Sequence, residues 1–376
     1  MYFITDKDPN YSIKGSRDPL GFQVIWQSAG RKLIPNLSTV SNNIIDFQIL
    51  SLAYIIKNEF KISDNDFESF FIKFEQIMAY TRHEKNKSEG FNGVEKVRKI
   101  MSSNGKFKIS MNEQILSNQK AYGIWGKYNR PFTDMRIIQN NFYEKTFKDK
   151  LNSNEFLSKK IKSIITKNEL EVKQSDLENF TSVIEKPENE EKELFVDTIL
   201  QDTCNQEILT IVNQNQDWNN LSFYQLLDFF INKSSNEKFL SIIKYIIQVE
   251  KTICPLNRVF RYLQTQSFWN IKEIEQDEFI ENCKVKNIIN DGFDETLKAL
   301  ASLHQLSNYE LVKGLVKRNE TICGLRNSSS WIEFTETGIE VNHFEGAIAN
   351  KDFNPEINND NTYFLGSYFS LYNQLN

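Results

Sequence analysis

A chain of 376 residues with 40% hydrophobic and 25% charged side chains has the composition of an ordinary folded protein with room for two or three domains. Twenty-nine Phe, 14 Tyr and 5 Trp supply a large core, while 14 Gly and 7 Pro are too few for a collagen-like, low-complexity or all-turn chain. The formal charge of −5 hides an asymmetry, since residues 1–150 carry 23 Lys and Arg against 16 Asp and Glu and the remainder 22 against 34. Such a division suits one part that meets phosphate and another that meets a protein partner.

In chain order, Asp8-Pro9-Asn10 and Asp18-Pro19-Leu20-Gly21 read as turns, followed by a hairpin with strands at 21–26 and 31–34, a turn at Ser28-Ala29-Gly30 and a stop at Pro35. From Ser41 the spacing becomes helical, and Ile44, Ile45, Phe47, Ile49, Leu52, Ile55 and Ile56 are too evenly apolar for a surface helix. The best-marked helix follows, with Ser63 as N-cap, Asp64 and Asp66 in the first turn, and a stripe of Phe67, Phe70, Phe71, Phe74, Ile77 and Met78. A helix over 94–101, a strand over 106–109 and a helix over 115–128 interrupted by Gly123 and Gly126 come next.

Beyond residue 150 the periodicity predicts helices at 155–166, 188–202, 223–231 and 237–253, with Pro187 and Pro255 as breaks. The segment 169–202 holds eleven acidic residues against three lysines and reads as an acidic face or linker. Helical signals run from 294 to 316, residues 331–334 and 339–341 read as a hairpin, and 350–361 is an Asn- and Asp-rich loop. A last amphipathic helix over 363–375 can dock through Phe364, Tyr368 and Leu371 or Leu375. The expected fold is mainly α, a multi-helical bundle-like body with small β-hairpins near both termini. Three parts are expected: a basic mixed domain at 1–150, an acidic helical domain at 151–325, and a hairpin with helix at 326–376.

No stretch reaches the roughly 18 uninterrupted apolar residues of a spanning helix, and the first residues lack the basic start and apolar run of a secretory signal. The expectation is a cytoplasmic protein, not integral to a membrane. Cys204, Cys254, Cys283 and Cys323 are far apart and read as reduced, buried thiols rather than a metal or redox motif. Neither a Walker-type nor a G-x-G-x-x-G glycine loop is present, nor a G-x-S-x-G elbow. His83, His304 and His343 have no zinc-ligand spacing. No catalytic residue, metal or cofactor is assigned. Asp149 with Glu171-Val172-Lys173, and Glu333 with Glu336, are the carboxylates a metal-dependent nuclease would have to use.

The strongest cluster joins cations to aromatic rings. Arg82, Lys85, Lys87, Lys96, Arg98, Lys99, Lys106, Lys108, Lys127 and Arg130 can neutralise phosphates, and Tyr122 and Trp125 can stack on bases if exposed. Arg17 and Arg31, close to turns, form a possible anion site. The strings Asp18-Pro19-Leu20-Gly21-Phe22-Gln23-Val24-Ile25-Trp26, Gly30-Arg31, and Leu116-Ser117-Asn118-Gln119 through Tyr122-Gly123-Ile124-Trp125-Gly126 resemble poorly characterised bacterial proteins of antiviral defence islands. That resemblance implies a non-catalytic subunit beside an ATPase, helicase or nuclease, with nucleic acid on its basic region and a partner protein on its acidic half. A metal-dependent nuclease and a pure interaction scaffold are the alternatives.

Overall fold

The computed structural model describes residues 17–103, 105–201, 204–215, 217–344, 347–348 and 352–376. The turn read at Asp8-Pro9-Asn10 and the predicted segment ends at 202 and 350–351 lie outside them. The fold is mainly helical with two small antiparallel sheets. None of the described helices is long and apolar enough to cross a membrane. The chain divides into two compact units: Met1–Leu33 with Thr210–Tyr363, and Ile34–Leu209 with Phe364–Asn376. This differs from the three consecutive domains expected at 1–150, 151–325 and 326–376, because the tertiary contacts that define each unit join segments far apart in sequence.

The N-terminal hairpin is also corrected: residues 22–33 form one helix, α1 (Phe22–Leu33). Asp18 starts it by accepting hydrogen bonds from the Phe22 and Gln23 amides at 2.9 and 3.2 Å, while Gly21 takes a φ of +65°. Ala29 and Gly30, which resembled a turn, are buried small residues that belong to the packed side of the helix. Arg17 precedes the N-terminus of α1 and Arg31 occupies its last turn. The helix therefore separates the two arginines that a hairpin would have gathered into an anion site.

In the second unit, α2 (Ile44–Glu59) has buried residues in every turn, as its unbroken apolar sequence requires, and Asn43 caps it. Beside it lies α3 (Asp64–Lys85), capped by Ser63, whose phenylalanine stripe is wholly interior. Next come α4 (Val94–Ser103), β1 (Lys106–Ser110), α5 (Gln119–Tyr122), α6 (Ile124–Asp134), α7 (Tyr143–Asn152), α8 (Glu155–Thr166), β2 (Glu169–Lys173) and α9 (Asn189–Phe195). Strand β2 pairs with β1, setting Phe107 opposite Val172 and Ile109 opposite Leu170 on the buried face. Thus the stretch read as an acidic face or linker starts as a strand, which pairs with β1 across the boundary expected after residue 150. The helix predicted over 188–202 ends instead in a π-helical turn at Val196–Leu200.

Helix α10 (Asn205–Gln214) carries the chain into the first unit, which contains α11 (Phe223–Lys233) and the long α12 (Glu237–Leu263). Pro255 does not break α12. A mid-helix proline costs about 3 kcal/mol, but Ile246, Val249 and Ile253 before it and Leu256, Val259, Phe260 and Leu263 after it are all buried and hold both halves in line. Then follow β3 (Phe268–Asn270), α13 (Ile271–Gln276), α14 (Glu278–Asn282), α15 (Glu295–Leu303), α16 (Asn308–Leu325), β4 (Ile332–Phe334) and β5 (Gly338–Val341). Strands β4 and β5 are the expected C-terminal hairpin, and β3 pairs with the other side of β5. In the second unit α17 (Leu365–Leu375) buries Tyr368, Leu371 and Leu375, and its Gln374 accepts from the Ile44 amide at 2.9 Å and donates to the Asn42 carbonyl.

Candidate functional site

The helices α2, α3 and α6 of the second unit surround a cavity of about 240 Å³, with Asp46, Glu75, Arg82, Lys127 and Tyr128 among its lining residues. Helical spacing places them there: Glu75, Ala79 and Arg82 follow one another at four and three residues on α3, and Ile124, Lys127 and Tyr128 at three and one on α6. The segment before α2 adds Asn42 and Asn43, and the loop after α3 adds Phe91 and Asn92.

Arg82 is only 3% exposed, so its charge needs partners inside the protein. Its Nη1 donates to Asp46 Oδ1 at 2.5 Å, and its Nε and Nη2 donate to Glu89 Oε1 at 3.0 and 2.5 Å. The Phe91 ring covers the guanidinium with 4.7 Å between them. Burial opposes the charge, but Asp46 and Glu89 outweigh it and hold the guanidinium above its ordinary range. Tyr128 accepts at its hydroxyl from the Asn42 and Asn43 amides at 3.2 and 3.1 Å. Burial, reinforced by Asp46 as hydrogen-bond acceptor, keeps this phenol protonated far above its usual range.

Glu75 supplies the cap that α6 lacks. The helix begins at Gly123, which has no side-chain acceptor, and Glu75 Oε1 instead accepts from the Ile124 amide at 2.7 Å. Gln119 Nε2 donates to Glu75 Oε2 at 2.9 Å. Burial pushes the Glu75 carboxyl up to about 7 despite these two hydrogen bonds. Lys127 is shifted the other way: burial lowers it, and the carboxylates of Asp46 and Glu75 only partly offset that. A carboxyl that exchanges its proton near neutrality beside an ammonium is chemically suited to proton transfer as well as to binding.

The glycine noted at position 123 now has a reason. A Cβ there would meet Gln119 O at 2.4 Å and the Glu75 carboxylate oxygens at 2.6 and 2.8 Å. Gly123→Ala is expected to cost about 1–3 kcal/mol by overpacking, read by chemical denaturation. It also displaces Glu75, which an altered carboxyl titration seen by carbon NMR would register. A loss below roughly 0.5 kcal/mol with an unchanged titration would contradict the fit described.

The ten cations singled out in the sequence have different fates. Arg82 is the interior residue just described, so the phosphate-contacting role expected of it is corrected, and Lys127 lines the cavity. Lys106 pairs with Glu171 at 3.0 Å and Lys108 with Glu169 at 3.3 Å across the β1–β2 ladder. Arg98 pairs with Glu95 and Arg130 with Asp134. Lys85 and Lys96 donate to the carbonyls of Ile184 and Gln114, and Lys87 and Lys99 lie at the surface. Trp125 packs 5.3 Å from both Phe67 and Phe71, whereas Tyr122 is 58% exposed. Among the described residues no group of three His, Cys, Asp or Glu is arranged to hold a metal ion. Asp149 and Glu171 are exposed on α7 and β2.

Sequence reasoning missed Asp46 and Glu75. Both carried a signal, since each is a lone carboxylate inside an apolar stripe: Asp46 between Ile45 and Phe47, and Glu75 four residues after Phe71 and three before Met78. No protein-family model, curated protein or solved structure matches this chain.

Proposed function

We propose that the second unit is a binding module for a small polar ligand carrying an anionic oxygen group, seated in the cavity against Lys127. One observation carries this reading. Among the described residues no hydrogen bond or ion-pair contact engages the Lys127 ammonium, although the other charged groups lining the cavity are matched. Asp46 is taken by Arg82 and Tyr128, and Glu75 by the Ile124 amide and Gln119. An ammonium has three donors and no acceptor, so the complementary ligand brings acceptor oxygens, as a carboxylate, sulfate or phosphate does. The neighbouring Asn42, Asn43 and Asn92 supply a polar wall for the rest of such a molecule.

The expected result is that low-millimolar sulfate, phosphate or malonate raises the thermal midpoint above a chloride control of equal ionic strength. Lys127→Met should remove at least tenfold of that affinity, about 1.4 kcal/mol. Stabilisation by none of the three anions would sink the reading.

A second reading keeps the chain as a nucleic-acid-contacting subunit of a defence complex, working in the cytoplasm beside an ATPase, helicase or nuclease. The observation favouring it is that Lys96, Arg98 and Lys99 are exposed together on α4, around the buried Val97. Reversing all three charges should then abolish a salt-dependent affinity for DNA or RNA, and the absence of any such affinity would count against it.

A further inference from the structure

We propose that the cavity takes up an anion together with a proton, which goes to Glu75. The inference rests on the ligand reading above and adds its regulation. Glu75 and Lys127 line the same cavity of about 240 Å³, so an anion drawn to Lys127 arrives near the Glu75 carboxyl. Glu75 is 4% exposed, and water screens little of that repulsion.

Every element packed around Glu75 bears on the sign. On α3 itself Arg82, about two turns further on, favours the charged form of Glu75 and is also committed to Asp46 and to Glu89 of the following loop, while the buried Lys73 donates to the Lys167 carbonyl. From α2 comes Asp46, whose negative charge disfavours ionisation of Glu75. From α5 comes Gln119, which is not titratable, and from α6 come Lys127 and Tyr128, the latter held as a neutral phenol. Lys127 lies on the same cavity with no ion pair engaging it among the described residues. An anion seated against Lys127 adds a second negative charge to that of Asp46. That charge shifts Glu75 towards its protonated form, as Asp46 already does, and the carboxyl titrates at about 7.

The protonated carboxyl keeps its place. Its two oxygens still accept from Ile124 and Gln119, so the cap on α6 survives proton uptake. Binding therefore needs no rearrangement of the helix that carries Lys127. The consequence is a site whose occupancy follows pH near neutrality: below the Glu75 midpoint the proton is already present, and above it each bound anion must bring one.

The test uses the whole chain and sulfate, which stays fully ionised between about pH 6 and about pH 9, so that any proton taken up belongs to the protein. Calorimetric titrations at pH about 7 in two buffers of different ionisation enthalpy should show uptake of about half a proton per sulfate bound. Above that pH the affinity should fall towards about tenfold per pH unit. Glu75→Gln, which keeps an acceptor for Ile124, should bind sulfate with no buffer-dependent heat and a flat pH profile. Sulfate bound by wild type without proton exchange, or the wild-type slope surviving in Glu75→Gln, overturns the coupling while leaving the binding site standing. If wild type binds sulfate at no pH in this range and Lys127→Met behaves identically, the ligand reading fails and the coupling with it. Should Glu75→Gln not fold, the wild-type heats in the two buffers still decide.

Discussion

Replacing Arg82 by methionine is expected to destabilise the protein by about 3–5 kcal/mol, the cost of leaving buried charges without their partner. The guanidinium is the only cation in contact with Asp46 among the described residues, and it also holds Glu89 in the loop that carries Phe91. Both carboxylates are mostly shielded, at 13% and 17% side-chain exposure, so water cannot take the place of the guanidinium. Methionine fills much of the aliphatic volume but donates no hydrogen bond, which separates the lost charge from lost packing. Urea denaturation measures the effect. Adding Asp46→Asn to Arg82→Met should recover part of the loss, because it removes one of the two stranded charges. A single-variant cost below about 1 kcal/mol would mean that the interior relaxes enough to hydrate both acids.

Glu250→Ala is the second large effect, again about 3–5 kcal/mol. Glu250 is 0% exposed on α12, and its two oxygens accept from the Asp360 and Asn361 amides at 2.5 and 3.1 Å, from Asn361 Nδ2 at 3.1 Å and from the Tyr363 hydroxyl at 2.6 Å. Burial raises its pKa and these four donors pull the other way. Alanine removes the carboxyl and leaves four interior donors with nothing to accept them, as well as a void. The same segment is tied to α12 at Arg258 and Asn257, both of which bind Asp360, and at Lys251, which binds Glu356. Hydrogen exchange should therefore accelerate most at 357–363, with a smaller change at 352–356. Glu250→Gln keeps acceptor capacity on one oxygen and should lose about half as much. Uniform acceleration over the whole first unit, with no gradient along 352–363, would contradict a local clasp.

The two residues share a lesson about reading charge. Arg82 counts as one more cation in a basic stretch, and Glu250 as one more acid in an acidic half, yet each is an interior group that neutralises or organises its neighbours. Composition sums charges along the chain, whereas a phosphate or a partner meets only those left over at the surface. Lys106 and Lys108 show the same thing outside the core. Their partners Glu171 and Glu169 lie more than sixty residues away and come alongside only because β1 and β2 pair.

By itself the sequence determined the helical class and most of the helices of the second unit. The apolar spacing of 44–56 and 67–78, the cap at Ser63 and the alternation at 106–109 are local signals, and each follows from a period or a side chain reaching a nearby amide. It also marked the terminal helix and the C-terminal hairpin. The tertiary structure decided α1 over a hairpin, because Asp18 caps it and Ala29 and Gly30 are buried, and it decided the continuity of α12 through Pro255, because packing on both flanks outweighs one missing hydrogen bond. It alone decided the two-unit division and the cavity. Asp46, Glu75 and Lys127 come from three helices and as many as 81 residues of separation, and their proximity depends on helix packing that no periodicity records.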